Sequence, residues 1–244
     1  LFGVTLQRCE GSMTKWLPGC LGATIAVCAT VSSIPARAET PRELLTQAGF
    51  VDRDRGVALA RINKAAAVAG KALSRSPNDQ EAAIMQAMAN GYRAKLLGNR
   101  SEAIAARKQY EALVSRYPRN AEAQAALGAW HIGVIAKLGR FVGRAVAGAQ
   151  KATGFAALDK SVALGGNRAM FAGLAGLLRL EIDPNDAQGR ALLETACKAP
   201  TPTAIDGYVR KAAMAVLVPL RAGDANATKA LADKLLPFGQ FAAG

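Results

Sequence analysis

An all-α chain is the fold class this sequence predicts, arranged as an α-solenoid of three to four antiparallel helix pairs. Three observations carry it. Between Gly56 and Pro200 apolar and small residues recur at helical spacing, and no stretch alternates with the period of two that marks a strand. Proline, asparagine with aspartate, or paired glycines interrupt these runs at intervals that suit short helices. The stretch Ser101 to His131 then reads as one helix, a tight turn at Pro118, and the start of a second helix running back.

The elements follow in order. Thr40-Pro41-Arg42-Glu43 is a helix start with proline in the first turn, so a short helix is expected after a polar leader from Glu39. Asp52 is placed to cap a long helix ending near Ser74, where Pro77 prevents continuation. Asn78 and Asp79 cap a helix over about 80–97, closed by Gly98-Asn99, which tolerate a left-handed backbone. Ser101 caps its partner. Asn120 caps a helix through about Lys137, and Ala136 to Lys151 reads as a flexible basic insertion. A helix from about Thr153 ends at Gly165-Gly166. Asn167 caps another through Leu180, Asp183-Pro184 turns the chain, and Ala187 to Lys198 returns. Ile205 to Arg221 and Ala225 to Leu236 make a final pair, with Pro219 shortening or kinking the first. The tail from Pro237 is expected to be loosely held.

The order Ala106, Tyr110, Leu113, Pro118, then Leu127-Gly128 and His131, resembles the tetratricopeptide repeat (TPR) with its A-x3-F…P and L-G-x2-Y signatures. The end KALSRSPND (Lys71 to Asp79) resembles the close of a second repeat helix. The spacing from Pro77 to Pro118 exceeds the standard repeat by about two helical turns. The Leu-Gly-x-Trp-His region with its basic insertion is also similar to the TPR-like domain of the regulator of microtubule dynamics family, as a shared domain shape. The resemblance implies a helical scaffold that binds a protein or peptide along the face made by the first helix of each pair.

Export is expected. Met13 reads as the start, Lys15 gives a positive charge, Leu17 to Val31 is apolar or small, and Ala36-Arg37-Ala38 is a small-x-small cleavage site. Residues 1–38 are thus read as the signal region and 39–244 as one helical domain with a periplasmic address. The apolar run is too short for a membrane span, so the processed chain is not expected to cross a membrane. Cys9, Cys20 and Cys28 precede the cut, leaving Cys197, which is expected to be a small packed residue on a helix. The formal charge of +13 favours anionic surfaces: lipid headgroups, acidic proteins or cell-wall polymers. Export argues against nucleic acid. Aromatic residues are only 5%, so alanine and leucine must supply the packing.

Binding residues are sought on two features. On the first-helix face, Ala129 and Ile132 line up with Glu122 and Ala125, and Met170, Leu177 and Leu180 with Gly173. These stripes read either as a face packed against the terminal helices or the insertion, or as an apolar groove for a hydrophobic peptide or a lipid-like solute. In the insertion, Lys137, Arg140, Arg144 and Lys151 lie in a stretch from Ala123 to Leu158 that has no acidic residue, suited to an anionic partner. His131, the single histidine, holds a position where the repeat carries an aromatic, so it is expected in the core. No cluster of metal ligands, phosphate loop or nucleophile motif is present, so neither catalysis, metal nor cofactor is expected. The leading expectation is an exported TPR-like scaffold that binds a protein or peptide. The alternative is a periplasmic solute-binding accessory of a transporter, with an apolar small molecule in an apolar cavity.

Overall fold

The computed structural model describes residues 39–241. The apolar segment 17–31, the first three cysteines and the cleavage site after Ala38 lie outside the described residues. Those residues form eleven α-helices, a closing 3-10 turn at Gly239–Phe241, and no strand. The helices are α1 (Pro41–Phe50), α2 (Arg55–Arg75), α3 (Gln80–Leu97), α4 (Arg100–Arg116), α5 (Ala121–Leu138), α6 (Arg140–Ala147), α7 (Lys151–Leu164), α8 (Ala169–Ile182), α9 (Ala187–Lys198), α10 (Ala204–Arg221) and α11 (Ala225–Leu235). None is long and apolar enough to cross a membrane.

The starts obey side-chain capping, with some substitutions of cap. Thr40 and Glu43 form a reciprocal capping box on α1. Asp54, not Asp52, caps α2 by accepting from the Val57 amide at 2.8 Å. Asp52 turns inward to pair with Arg61 at 3.0 Å. Asn99, not Ser101, caps α4, because only Gly98 is left-handed (φ 66°) and Asn99 stays extended. Asp79, Asn120, Asp186 and Asp224 cap α3, α5, α9 and α11. Asn167 does not cap α8. It is itself left-handed (φ 61°), and Arg168 takes the N-cap position without a side-chain bond. The open amides of α8 are met from elsewhere: Ala169 N–H donates to Pro200 O (3.0 Å) and Met170 N–H to Asp206 Oδ1 (2.9 Å).

Hairpin partners pack side by side as α1–α2, α3–α4, α5–α7, α8–α9 and α10–α11. That makes five pairs among the described residues, against the three to four expected. The insertion is not a flexible loop. It forms α6, which packs on α5 and α4. First members of successive pairs also meet: α1 with α3, α3 with α5, α5 with α8, and α8 with α10. In addition α1 touches α10, and Phe50 stacks on Tyr208 with ring centres 6.0 Å apart. The inner layer of first helices therefore closes on itself.

Small residues let these helices approach. A Cβ on Gly128 would lie 2.7 Å from Leu158 Cγ and 2.8 Å from Gly154 O, so α5 and α7 cross nearly backbone to backbone. The core is dominated by Leu, Ile and Ala, including Ile62, Ile84, Ile132, Leu177, Leu180 and Leu193, all essentially inaccessible. Ala106, Tyr110 and Leu113 are buried together on α4. His131 is 3% exposed, and its Nδ1 accepts the Gln150 amide at 3.2 Å. The tail is held rather than loose. Phe238 is buried, meets Tyr92 edge to face at 4.8 Å, and donates its amide to Gly49 O at 2.9 Å.

Candidate functional site

The first helices of the pairs run in one direction, so their starts gather at one end and their finishes at the other. At the starting end, Arg42 bonds Glu81 (2.6 Å) and Glu122 (2.7 Å), Arg168 lies 3.7 Å from Glu122, and Arg168 bonds Asp206 (2.9 Å). Glu81, Glu122 and Asp206 sit in the first turns of α3, α5 and α10, where the helix dipole favours negative charge. Burial would raise the Asp206 carboxyl. Hydrogen bonds from Arg168, Thr203 and the Met170 amide outweigh it and hold the group below the usual range. Every charge in this belt is answered by another, and the belt is a staple across five elements.

The finishing end is different. There the ends of α3, α5 and α8 leave a cleft of about 630 Å³. Lys95 and Lys137 stand in the last turns of α3 and α5, and Glu181 in that of α8. Helix α11 contributes Asn226, Lys229, Ala230 and Asp233, spaced at three, four and seven residues and so on one face. The tail supplies Phe238, Gly239 and Phe241 as a wall. Arg55 closes the rim, donating to Phe241 O at 2.9 Å with its guanidinium 5.8 Å from the Phe241 ring centre.

Glu181 is the unusual member. It is half-buried, and burial is the main cause that lifts its carboxyl to about 7. Lys95 pulls in the opposite direction, and the neighbouring Asp233 pushes it further up by repulsion and by hydrogen bonding. Oε2 of Glu181 meets no donor. With its carboxyl raised to about 7, Glu181 carries a proton on a large share of molecules near neutral pH, and a protonated carboxyl donates where an ionised one only accepts. Lys95 is ringed by protein yet wetted along the cleft. Burial lowers its ammonium pKa, Glu181 and Asp233 counter this, and Lys137 adds to it. Solvent in the cleft tempers the effect. The site thus presents four cations and a carboxyl pair to one open volume.

Comparison with protein-family models, with curated proteins and with solved structures gave no match.

The residues singled out in the sequence separate into three places. Ile132, Met170, Leu177 and Leu180 are at most 4% exposed, and Ala129 is half-buried against the same core. They line no open groove. Met170 packs with Ile205, Val209 and Phe50, and Leu177 and Leu180 lie among Leu193, Val216 and Leu236, so α1, α10 and α11 occupy the face where a peptide was expected. Lys137 lines the cleft. Arg140 and Arg144 are exposed on α6, and Lys151 begins α7 with its ammonium 5.3 Å from the Phe155 ring centre. Arg55, Lys95, Glu181, Lys229 and Asp233 were not singled out. They come from four elements, α2, α3, α8 and α11, with no common spacing, and only the packing of these helices joins them. No group of metal-ligating side chains occurs among the described residues. Cys197 is half-buried, with its thiol pKa raised chiefly by burial.

Proposed function

We propose that this is an exported, TPR-like binding protein whose ligand enters the cleft at the finishing ends of α3, α5 and α8. The ligand is a peptide end or small solute carrying an anionic group. One observation carries the reading: Arg55, Lys95, Lys137 and Lys229 surround a single opening of about 630 Å³, within the size range of small-molecule sites. Two carboxyls and two aromatic rings in the same lining supply a proton-bearing contact and an apolar wall. Export rests on the apolar segment 17–31 and the small residues before Glu39. The binding surface moves from the apolar face to the cleft because the apolar face is occupied by the protein's own helices.

Native mass spectrometry of the protein purified from its own cell envelope tests this. A bound small mass is expected, and it is lost in the Lys95→Ala/Lys229→Ala variant. A bare wild-type chain, or an adduct that survives in the double variant, counts against the cleft.

A second reading rests on Glu181 and Asp233. A carboxyl kept protonated near neutral pH beside a second carboxyl is how a general acid and its partner are arranged. Under that reading Glu181→Gln keeps the bound mass but stops its turnover. Under the binding reading the wild-type chain returns its ligand unchanged.

A further inference from the structure

Helix α6 presents an apolar tip that the cleft does not use. Phe141 is 85% exposed, the most exposed of the large hydrophobic side chains described, and Val142 and Leu138 beside it are 54% and 43% exposed. The tip is fixed in place. Gly143 and Ala147, four residues apart, form the buried side of α6. Arg100 donates to Val146 O (2.6 Å) and Arg107 to Ala147 O (2.8 Å), which clamps the end of the helix. Gly139 enters the helix with φ 78° and Gly148 leaves it with φ 70°, two left-handed positions that set the helix as a separate corner. Phe141 is held outward by this geometry.

Along the chain, the charge on either side of the tip has one sign. Arg140 and Arg144 are exposed on α6, and Lys137, in the last turn of α5, faces the cleft. The nearest acids along the chain are Glu122 and Asp159. Both are engaged, Glu122 by Arg42 and Arg168, and Asp159 by Arg179. The three cations make no ion pair among the described contacts. A protruding aromatic with flanking cations matches a fluid anionic interface, where rings lie at the headgroup level and cations meet phosphates. A protein partner asks for about 800 Å² of complementary surface on each side, which two side chains on an eight-residue helix and one at the end of α5 do not offer.

We propose that the α6 corner docks the protein peripherally on an anionic lipid bilayer, with Phe141, Val142 and Leu138 entering the headgroup boundary and Arg140 and Arg144 against the headgroups. This goes beyond the cleft and is independent of what the cleft holds.

The test reads the corner locally, because the apolar segment 17–31 can itself meet lipid. Phe141→Trp is made in the full chain and mixed with vesicles of phosphatidylglycerol and phosphatidylethanolamine carrying brominated acyl chains. Phe141 has almost no contacts to lose, so an unchanged circular dichroism melt is the control. The proposal expects quenching beyond that of the wild-type tryptophans on anionic vesicles and none on phosphatidylcholine. It also expects roughly tenfold or greater loss of vesicle affinity in Arg140→Glu/Arg144→Glu. Three results overturn it: equal quenching of wild type and variant, undiminished affinity after charge reversal, or an emission change produced by polyglutamate and not by vesicles. The last would point to an acidic protein.

Discussion

Glu181 binds a proton more tightly in the folded chain than in the unfolded one, and His131 binds one less tightly. The Glu181 carboxyl is raised from 4.5 to about 7, so between those values the folded state holds more protons and stability falls as pH rises. The His131 imidazole is lowered from 6.5 to about 4, by burial first and by the Arg107 charge second. In that window the unfolded chain holds more protons, so stability rises with pH. The two slopes oppose each other. Glu181→Gln is expected to leave stability rising from about pH 4.5 to 6.5, and His131→Asn to leave it falling as pH approaches 7. Urea midpoints across the range check both. Asparagine suits the second variant because its carbonyl oxygen replaces Nδ1 as acceptor for the Gln150 amide. The core role of His131 was legible from its place in the repeat pattern. The raised carboxyl was not, because it comes first from burial at the end of α8 and then from Asp233 of α11, neither of which local spacing records.

At the scale of elements, helix boundaries followed local chemistry closely. Proline, glycine and acidic caps act within a few residues, and α3 and α9 begin and end where those residues predict. The misassigned caps are the ones settled by distant contacts. Asp52 was drawn off by Arg61, and Asn167 was relieved by Asp206, which belongs to α10. Asp206 thus serves two helices, accepting from Met170 N–H (2.9 Å) on α8 and from Thr203 N–H (3.1 Å) before its own. Its side chain is inaccessible and pairs with Arg168. Asp206→Ala leaves the buried Met170 amide without its acceptor and Arg168 with only the more distant Glu122 (3.7 Å), and a loss of about 1–3 kcal/mol in denaturant unfolding is expected. Since the Asp206 carboxyl is depressed, the stability it gives is present above the ordinary aspartate value and fades as pH falls through its folded one. The crossing of α5 and α7 is as demanding. Gly128→Ala drives a methyl against Leu158 and the Gly154 carbonyl, and about 1–3 kcal/mol of destabilisation is expected in the same assay.

For the whole molecule, the class of fold was written in the sequence and the arrangement of its inner face was not. Apolar stripes on successive helices mark surfaces that must be covered, but a stripe does not say by what. Met170, Leu177 and Leu180 read equally well as groove or as core. The presence of α1, α10 and α11 on that face decides for core. The tail gives a direct check. Phe238 reaches from the end of α11 to Tyr92 of α3 and, through its amide, to Gly49 of α1. Phe238→Ala is expected to lower stability by about 3–5 kcal/mol and, by removing a wall, to weaken retention of any cleft ligand in native mass spectrometry.

The meeting of α1 with α10 bears on cooperativity. In an open array each repeat touches only its neighbours, so unfolding starts at a free end and spreads, and length can change by whole repeats. Here the first and last inner helices hold each other through the Phe50–Tyr208 stack, and neither is a free end. Loosening one strips the other of its cover. A single melting transition follows, seen alike by every probe, and the number of helix pairs is set by closure, so a pair cannot be gained or lost without opening the interior.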